Sequence, residues 1–201
     1  MPGRKPSPVQ EWLGAKRREH GRLSGWLRHL LGRFEIRLGR ARHLTDIDWG
    51  GVSRLVFVCR GNICRSPYAE GRAKEAGLEA TSFGLEADGR SPADERARRV
   101  AGSRGIGLDD HVARRPEQVP IEEGDLVIGM EPWHIKGFLR GPSGSLGGRR
   151  AQVTLLGLWG PQPILTIEDP YGRDEAYFHR CFERIDQAIG GVRRRMEGGE
   201  S

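Results

Sequence analysis

Short apolar runs alternate with longer amphipathic stretches over most of the chain after residue 50. The apolar runs predict β-strands at about residues 54–59, 80–85, 125–130 and 152–156. The amphipathic stretches predict helices near residues 66–76, 92–104, 131–139 and 174–194. Because strands that alternate with helices form a parallel sheet covered on both faces, the pattern predicts a doubly wound α/β fold. Its functional site is expected at the carboxyl ends of the strands.

The first apolar run leads into a loop that reads Cys-Arg-Gly-Asn-Ile-Cys-Arg-Ser over residues 59–66, and Pro67 opens the helical pattern that follows. Successive backbone N–H groups in such a loop converge on one point, and the helix dipole aims its positive end there. Arg65 adds a fork of donors that suits a tetrahedral oxyanion. The same positive field favours the thiolate of Cys59, which is the nucleophilic form. The loop therefore predicts phosphoryl transfer through a cysteine.

A buried core thiol is the alternative interpretation of Cys59, and for a lone cysteine it is the common one. The neighbouring residues favour the nucleophile. Gly61 and Asn62 tolerate a positive φ in a tight loop, and Ser66 is able to cap the helix or to donate to the thiolate. A structural cysteine requires none of these residues.

Asp169 is the candidate general acid. Cleavage of a phosphoester leaves an alkoxide or phenoxide, so a positioned acid must protonate the leaving oxygen. Because Asp169 precedes Pro170, its backbone is held in an extended conformation, and Tyr171 offers an aromatic wall for a flat substrate ring. An ordinary turn aspartate is the alternative, since Asp-Pro is a common turn signal. The presence of the cysteine loop favours the acid.

The two motifs, in this order, resemble those of the low-molecular-weight protein tyrosine phosphatases over roughly residues 52–194. The segments that carry the resemblance are 58–67 with Ala69-Glu70, Ser82-Phe83-Gly84, Gly89-Arg90-Ser91-Pro92, Arg96-Ala97, Gly105-Ile106, His111, Ala113-Arg114, 125–130 and Ile167-Glu168-Asp169-Pro170-Tyr171. The resemblance implies a flavodoxin-like four-stranded sheet in the order 2-1-3-4. The pair Met130-Glu131 departs from the family's usual Met-Asp.

The resemblance also implies roles for the site residues. The expected catalytic residues are Cys59, Arg65 and Asp169, and the expected phosphate- and substrate-binding residues are Arg60, Gly61, Asn62, Ile63, Cys64, Ser66 and Tyr171. Ser82 and His111 match positions that hydrogen-bond into the loop, although a surface histidine near a helix end is an equal interpretation of His111. Cys64 either pairs with Cys59 under oxidation or is a packed loop residue, and Cys181 is expected in the core.

No metal or cofactor is expected, because the backbone and Arg65 supply the positive field. The chain holds three cysteines and six histidines, and their spacing fits no common zinc site. A thiolate enzyme without an evident disulfide framework predicts a reducing cytoplasm.

Three other functions remain open. Arsenate reductases share the fold, but they relay oxidation through two further cysteines, where this chain offers only Cys181. Arginine phosphatases of this shape place Thr where this chain has Ile63, and a branched apolar side chain there suits an aromatic ring. A phosphopeptide-binding module is disfavoured because the three catalytic candidates are all present. Phosphotyrosine in a protein is therefore the expected substrate, and an autophosphorylated bacterial tyrosine kinase of exopolysaccharide export is a hypothesis from the family.

The excess charge of the chain lies at its N-terminus. Residues 1–50 hold 11 basic and 5 acidic residues, so their balance is +6, while the remaining 22 basic and 22 acidic residues cancel. Apolar residues recur among these basic residues at approximately helical spacing: Trp12, Leu13, Leu23, Trp26, Leu27, Leu30, Leu31, Phe34 and Leu38. The predicted division is a basic amphipathic helical extension (1–50), a phosphatase domain (51–195) and a flexible tail (196–201).

Two roles suit the extension. Its apolar stripe folds back on the phosphatase domain, or it contacts an anionic membrane surface or an acidic partner. No nucleic-acid motif accompanies the charge, so nucleic acid is not an expected partner. No stretch is apolar and long enough to span a bilayer, so a cytoplasmic location, peripheral to the inner membrane in the second case, is expected.

Overall fold

The computed structural model describes residues 41–141, 145–146 and 149–198 of the 201-residue chain. Most of the predicted N-terminal helical extension and the end of the predicted tail lie outside these residues. The strands are β1 (Arg54–Cys59), β2 (Ala80–Gly84), β3 (Asp125–Gly129), β4 (Ser145–Leu146), β5 (Arg149–Arg150) and β6 (Gln152–Leu155). The helices are α1 (Arg65–Glu75), α2 (Glu95–Gly102), α3 (Pro132–Arg140) and α4 (Glu175–Gly198).

Four of the strands form a parallel sheet in the order β2-β1-β3-β6. Numbered by their order in the chain, these are the second, first, third and fourth strands of the sheet, so the predicted order 2-1-3-4 is confirmed. At the carboxyl ends, Val58 pairs with Phe83 on one side and with Gly129 on the other. The short strands β4 and β5 pair antiparallel in a separate hairpin before β6.

Helices cover the sheet on both faces, as a doubly wound fold requires. On one face, Phe57 of β1 and Leu126 of β3 pack in a core with α1, α2 and Phe182 of α4. On the other face, Val56 of β1 packs with Phe138 of α3. Because β1 and β3 are buried on both sides, their sequences are continuous apolar runs rather than alternating ones.

The helix predicted at residues 92–104 is shorter in the structure, where α2 begins at Glu95. Asp94 is its N-cap: the Asp94 side chain accepts from the backbone N–H groups of Arg96 at 2.9 Å and Ala97 at 3.0 Å. Pro92 instead pairs with Val112 in an isolated β-bridge. The proline therefore belongs to the loop before the helix and not to its first turn.

The described residues that precede β1 are hydrogen-bonded to the edge strand β6. Thr154 donates its hydroxyl to the carbonyl oxygen of Leu44 at 2.6 Å. Gln152 accepts from the Asp48 N–H at 2.8 Å and donates to its carbonyl oxygen at 3.1 Å. The boundary predicted near residue 50 stays a prediction. Within the described part of the chain, no helix combines the length and the hydropathy needed to cross a bilayer.

Candidate active site

The site lies where β1, β2 and β3 end, at the edge of the sheet that the alternating pattern predicted. Cys59 is the last residue of β1, and the loop after it leads directly into α1. The end of β2 approaches this loop very closely, since a Cβ on Gly84 would lie 2.7 Å from the backbone nitrogen of Asn62 and from the carbonyl oxygen of Arg60. Only a glycine fits at this position, so Gly84 sets the shape of the loop from the neighbouring strand.

Cys59 lies at the floor of the loop with donors around its sulfur. The thiol is buried, with 3% exposure. The backbone N–H of Asn62 donates to Sγ at 3.2 Å, and the hydroxyl oxygen of Ser66 lies 3.0 Å from it. Two neutral donors and the amino end of α1 thus surround this sulfur.

The side chain of Asn62 holds the loop in its conformation through hydrogen bonds. Its backbone has a φ of 54°, which makes it the one non-glycine residue with positive φ among those that the structure describes. Its side-chain NH₂ donates to the hydroxyls of Ser66 at 2.8 Å and Ser82 at 2.7 Å. Its side-chain oxygen accepts from the N–H of Arg114 at 2.8 Å. These bonds hold a strained backbone in place from three separate segments of the chain.

His111 contacts the backbone of Asn62. Its Nε2 lies 2.7 Å from the carbonyl oxygen of Asn62. Because a carbonyl oxygen only accepts, Nε2 carries the proton and donates it. Burial lowers the pKa of His111, against the effect of this hydrogen bond. The structure therefore places His111 against the loop.

Glu70 extends this network, and the sequence analysis did not identify it as a site residue. Ser82 donates its hydroxyl to Glu70 at 2.7 Å, so the Ser82 oxygen is left to accept from Asn62. Glu70 also pairs with Arg114 and with Lys74, the latter at 2.6 Å. A buried carboxylate that accepts from several donors fixes the direction in which each hydroxyl of this hydrogen-bond network donates. The one signal in the sequence was its place in the segment Ala69-Glu70, just after the loop.

Arg65 is the most deeply placed charge of the site, with 1% exposure. Its Nη1 donates to the Glu131 carboxylate at 2.7 Å and to the Ile167 carbonyl oxygen at 2.9 Å. Its Nη2 forms an ion pair with Asp169, at 2.7 Å. Burial opposes the charge, but the negative groups Asp169, Cys59 and Glu131 outweigh it and raise the pKa of Arg65. Its Nε is buried and has no acceptor among the described residues.

Glu131, the residue at which the sequence departs from the family's usual Met-Asp, forms an ion pair with Arg65. It follows the end of β3, and its side chain is long enough to reach Arg65 from there. The guanidinium is thereby held between Glu131 on one side and Asp169 on the other. A residue at the carboxyl end of a central strand is a natural site residue in this fold, and that was the signal available.

The loop that carries Asp169 is anchored to α4 by its neighbour Glu168. Tyr177 donates its hydroxyl to the Glu168 carboxylate, and the Cys181 thiol lies 3.7 Å from the Glu168 carbonyl oxygen. Asp169 itself accepts from the N–H of Tyr171 at 3.2 Å. The Tyr171 side chain is 62% exposed, so it stands beside the loop as a free aromatic face.

Arg60 lies at the exposed rim of the loop. It forms an ion pair with Glu86 at 2.7 Å, and its guanidinium carbon lies 5.9 Å from the centre of the Trp133 ring. Both partners of the ion pair are more than half exposed, so the pair is weak. The rim thus presents one partly neutralised arginine and a second aromatic side chain, Trp133, which the sequence analysis did not single out.

The other two cysteines are buried free thiols. Burial raises the pKa of Cys64, and it raises the pKa of Cys181 to about 12. Both therefore stay protonated at neutral pH and are poor nucleophiles. Cys181 belongs to the core around α4, as predicted. Over the described ranges, no group of three or more His, Cys, Asp or Glu side chains is arranged to hold a metal ion.

His134 supports Glu131 from the first turn of α3. Its Nδ1 accepts from the Glu131 N–H at 3.0 Å, so the proton of the neutral ring is on Nε2, which is buried without an acceptor in the described structure. The side chain has no exposed surface. Burial, together with the charges of Arg65 and Arg60, lowers the pKa of His134 to about 3.

This burial predicts a specific acid sensitivity. Between the ordinary pKa of 6.5 and about 3, the unfolded chain binds a proton at His134 that the folded chain does not. The free energy of unfolding therefore falls as the pH falls through this window, by up to about 1.4 kcal/mol per pH unit. His134→Asn keeps an acceptor for the Glu131 N–H and removes the titration, so we expect a flatter profile in urea unfolding between pH 7 and 4.5. Parallel profiles for the two proteins would contradict the assignment.

Comparison with known proteins agrees with this geometry. Residues 54–198 match the family model of the low molecular weight phosphotyrosine protein phosphatases. A low molecular weight protein-tyrosine-phosphatase of Streptomyces coelicolor is 37% identical over 167 residues, which cover 72% of this chain and 96% of the relative. The probable low molecular weight protein-tyrosine-phosphatase AmsI of Erwinia amylovora is 35% identical over 140 residues, which cover 68% and 92%.

Solved structures give the same result. The crystal structure of the Erwinia amylovora tyrosine phosphatase AmsI has a TM-score of 0.61 and 32% identity, and the match covers 71% of this chain and 92% of that one. The arginine phosphatase YwlE of Geobacillus stearothermophilus has a TM-score of 0.61 at 22% identity, over 73% and 94%, and shows a shared fold only. The chain belongs to the low molecular weight phosphotyrosine protein phosphatase family, and it is a phosphoric monoester hydrolase.

Proposed function

We propose that the protein hydrolyses phosphotyrosine in a protein substrate through a cysteinyl-phosphate intermediate on Cys59. One observation carries the proposal: the sulfur of Cys59 lies among donors at the end of β1, and Arg65 joins the same loop to Asp169. The acid thus joins the nucleophile and the phosphate-binding cation from a position more than a hundred residues further along the chain.

The phosphate is held by the backbone N–H groups of residues 60–66 and by Arg65. Support comes from the buried Nε of Arg65, which lacks an acceptor among the described residues and which a phosphate oxygen would satisfy. The dianion also competes with the Asp169 carboxylate for Nη2, so that substrate binding frees the acid from its ion pair. These donors are preorganised, and this is where most of the catalytic effect arises.

In the first half-reaction, the Cys59 thiolate attacks phosphorus in line with the leaving oxygen. The S–P bond forms as the P–O bond to the tyrosyl ring breaks, and Asp169 gives its proton to the departing phenoxide. The products are free tyrosine hydroxyl and the cysteinyl-phosphate. Ser66, 3.0 Å from the sulfur, stabilises the thiolate before attack and when it is released again.

In the second half-reaction, water attacks the phosphorus of the intermediate. The Asp169 carboxylate accepts a proton from this water as the new P–O bond forms and the S–P bond breaks. Cys59 returns as the thiolate, inorganic phosphate leaves, and Asp169 is protonated for the next cycle. The roles of acid and base in the two steps thus belong to one carboxyl group.

Phosphotyrosine is favoured over other phosphoryl groups by the aromatic and apolar side chains at the rim. Tyr171 is exposed beside the acid, and Trp133 is exposed on the α3 side. Ile63 adds a half-buried branched side chain within the loop. The flat rings of Tyr171 and Trp133 are suited to stacking on a phenyl ring. An oxidative relay from the loop, as an arsenate reductase needs, would have to use Cys181, which is buried with a raised pKa.

The partner we propose is a phosphotyrosine protein, with an autophosphorylated tyrosine kinase as the first candidate. Relatives named as tyrosine phosphatases in Streptomyces coelicolor and Erwinia amylovora support the substrate class. The identity of the kinase rests on the family resemblance alone.

The test is hydrolysis of three peptides of the same sequence that carry phosphotyrosine, phosphoserine or phosphoarginine, with kcat/KM measured at neutral pH. We expect kcat/KM for the phosphotyrosine peptide to be at least about a hundredfold above that for the other two. Substrates that differ in shape and in stacking on the rim differ by a few kcal/mol in transition-state binding. Turnover confined to the phosphoarginine peptide would refute the substrate while leaving the cysteine mechanism intact.

A further inference from the structure

An apolar groove lies on the α3 face of the sheet, away from the loop. It has a volume of about 250 Å³, and it is formed by α3, by the edge strand β6 and by the described residues before β1. Its apolar lining includes Ala41, Leu44, Ile135, Leu139, Leu155 and Leu165. Two polar residues, His43 and Lys136, also contribute. An opening of this size and composition gains free energy when apolar side chains fill it.

The walls of the groove differ in their exposure. Leu155 is fully buried at its floor, whereas Leu139 is one of four large hydrophobic side chains that are exposed in the described structure. None of the lining residues belongs to the active-site mouth, which is marked by Arg60 and Tyr171. An occupant of the groove would therefore cover α3 and leave Cys59 open.

The position of Ala41 decides which occupant we assign. Ala41 lines the groove, is 5% exposed and is the first residue that the structure describes. The apolar stripe of the preceding segment runs through Leu27, Leu30, Leu31, Phe34 and Leu38. Ala41 follows Phe34 by seven positions and Leu38 by three, so it continues the same face at helical spacing. The last member of the stripe is therefore already seated in the groove.

The reach of the chain supports this assignment. Leu38 lies three residues from Ala41, a span of at most about 10 Å even when extended. Phe34 lies seven residues away, which is also about 10 Å along a helix. Because Thr154 fixes Leu44 to β6, the segment starts from a rigid point. A tether this short gives a high effective concentration, with which a separate molecule must compete.

Charge does not oppose the assignment. Residues 1–40 hold 10 basic and 3 acidic residues, and these lie mostly between the apolar positions. With the apolar stripe against the groove, the basic side chains face water. The groove itself carries Lys136 and His43, so it offers no acidic surface that would draw the basic face inward.

We propose that residues 27–38 of the chain's own N-terminal segment dock in this groove through Phe34 and Leu38. The segment is then part of the phosphatase domain's surface on the α3 side. The basic face that it presents outward is fixed in direction relative to the active-site mouth.

The test is site-specific cross-linking in the full-length protein. A benzophenone amino acid replaces Phe34 in one variant and Ile36 in the other; both positions are apolar, but in a helix they lie about 200° apart. We expect the probe at Phe34 to cross-link within the monomer to peptides of α3 and β6, mapped by mass spectrometry, and the probe at Ile36 to do so several-fold less. Equal yields at both positions, or products elsewhere on the domain, would overturn the proposal. A dimer-sized product would assign the groove to a second copy and would overturn it too.

Hydrogen exchange gives an independent readout without a photoprobe. Phe34→Asp in the full chain should make the backbone amides of α3 exchange several-fold faster, since a docked side chain no longer covers them. Ile36→Asp is the matched control, with the same added charge on the opposite face, and should leave these amides as in the wild type. Unchanged exchange in Phe34→Asp would contradict docking.

Discussion

Cys59→Ser is expected to lower kcat for a phosphotyrosine peptide by about 10⁴-fold or more. The sulfur lies within hydrogen-bond distance of the Asn62 N–H and the Ser66 hydroxyl, and the proposed mechanism needs it as a thiolate. A serine hydroxyl in the same place stays protonated at neutral pH and has no base beside it, so the attacking species is lost. Single-turnover and steady-state rates on the peptide measure the loss, and binding of inorganic phosphate should persist because the loop donors remain.

Cys64→Ser is the matched control, because it alters the second cysteine of the same loop. Cys64 is buried, and its pKa is raised by that burial. We expect this variant to keep kcat within about tenfold of the wild type, since loop repacking has a modest effect. Alkylation by iodoacetate, with the modified residue identified by mass spectrometry, should label Cys59 first. Loss of activity in Cys64→Ser with activity retained in Cys59→Ser would reassign the nucleophile.

Asp169→Asn is expected to lower kcat by about 10²- to 10³-fold for substrates with a poor leaving group, since a carboxyl that no longer donates leaves the phenoxide unprotonated. The size of the loss should depend on the leaving group. Phenyl phosphate and phosphotyrosine need the proton, whereas p-nitrophenyl phosphate releases a stable anion and should be much less affected. Comparing kcat for the series in the two proteins measures the proton transfer itself, apart from any effect of the lost ion pair with Arg65.

Glu168→Gln is the control for this change, because it removes the neighbouring carboxylate. Glu168 is held by the Tyr177 hydroxyl and is not paired with Arg65. A shift in the position of the loop in this variant would lower the rate for all leaving groups alike. An equal leaving-group dependence in Asp169→Asn and in the wild type would show that Asp169 is not the acid.

The fold was predictable because its signals are local. Buried strands of a parallel sheet are continuous apolar runs, so β1 and β3 could be located to within a residue of their observed bounds. The ends of helices were less predictable. The start of α2 depends on the Asp94 cap, and α4 runs through the glycine pair Gly190-Gly191, a signal for an earlier end, and continues to Gly198. Packing of a long amphipathic face, rather than its sequence, decides where such a helix stops.

The candidate site divides in the same way. Cys59, Arg65 and Asp169 could be proposed from the sequence because each stands in a contiguous motif whose residue types have a chemical reason. Glu131 and Glu70 could not, since an isolated glutamate has many possible roles. Only the sheet order brings Glu131 to Arg65, and only the close approach of β2 at Gly84 places Ser82 between Asn62 and Glu70.

The sequence by itself thus determined the order of the elements, and it made residues 59–66 the candidate phosphate-binding loop and Asp169 the candidate acid, because each of these signals lies in residues that are neighbours in the chain. The tertiary structure decided which charges hold Arg65, what braces Asn62 and where the apolar groove lies. The physical reason is that ion pairs, buried hydrogen bonds and cavities depend on distances between side chains from separate segments. Those distances exist only after parallel strands have aligned their carboxyl ends and the helices have packed on both faces.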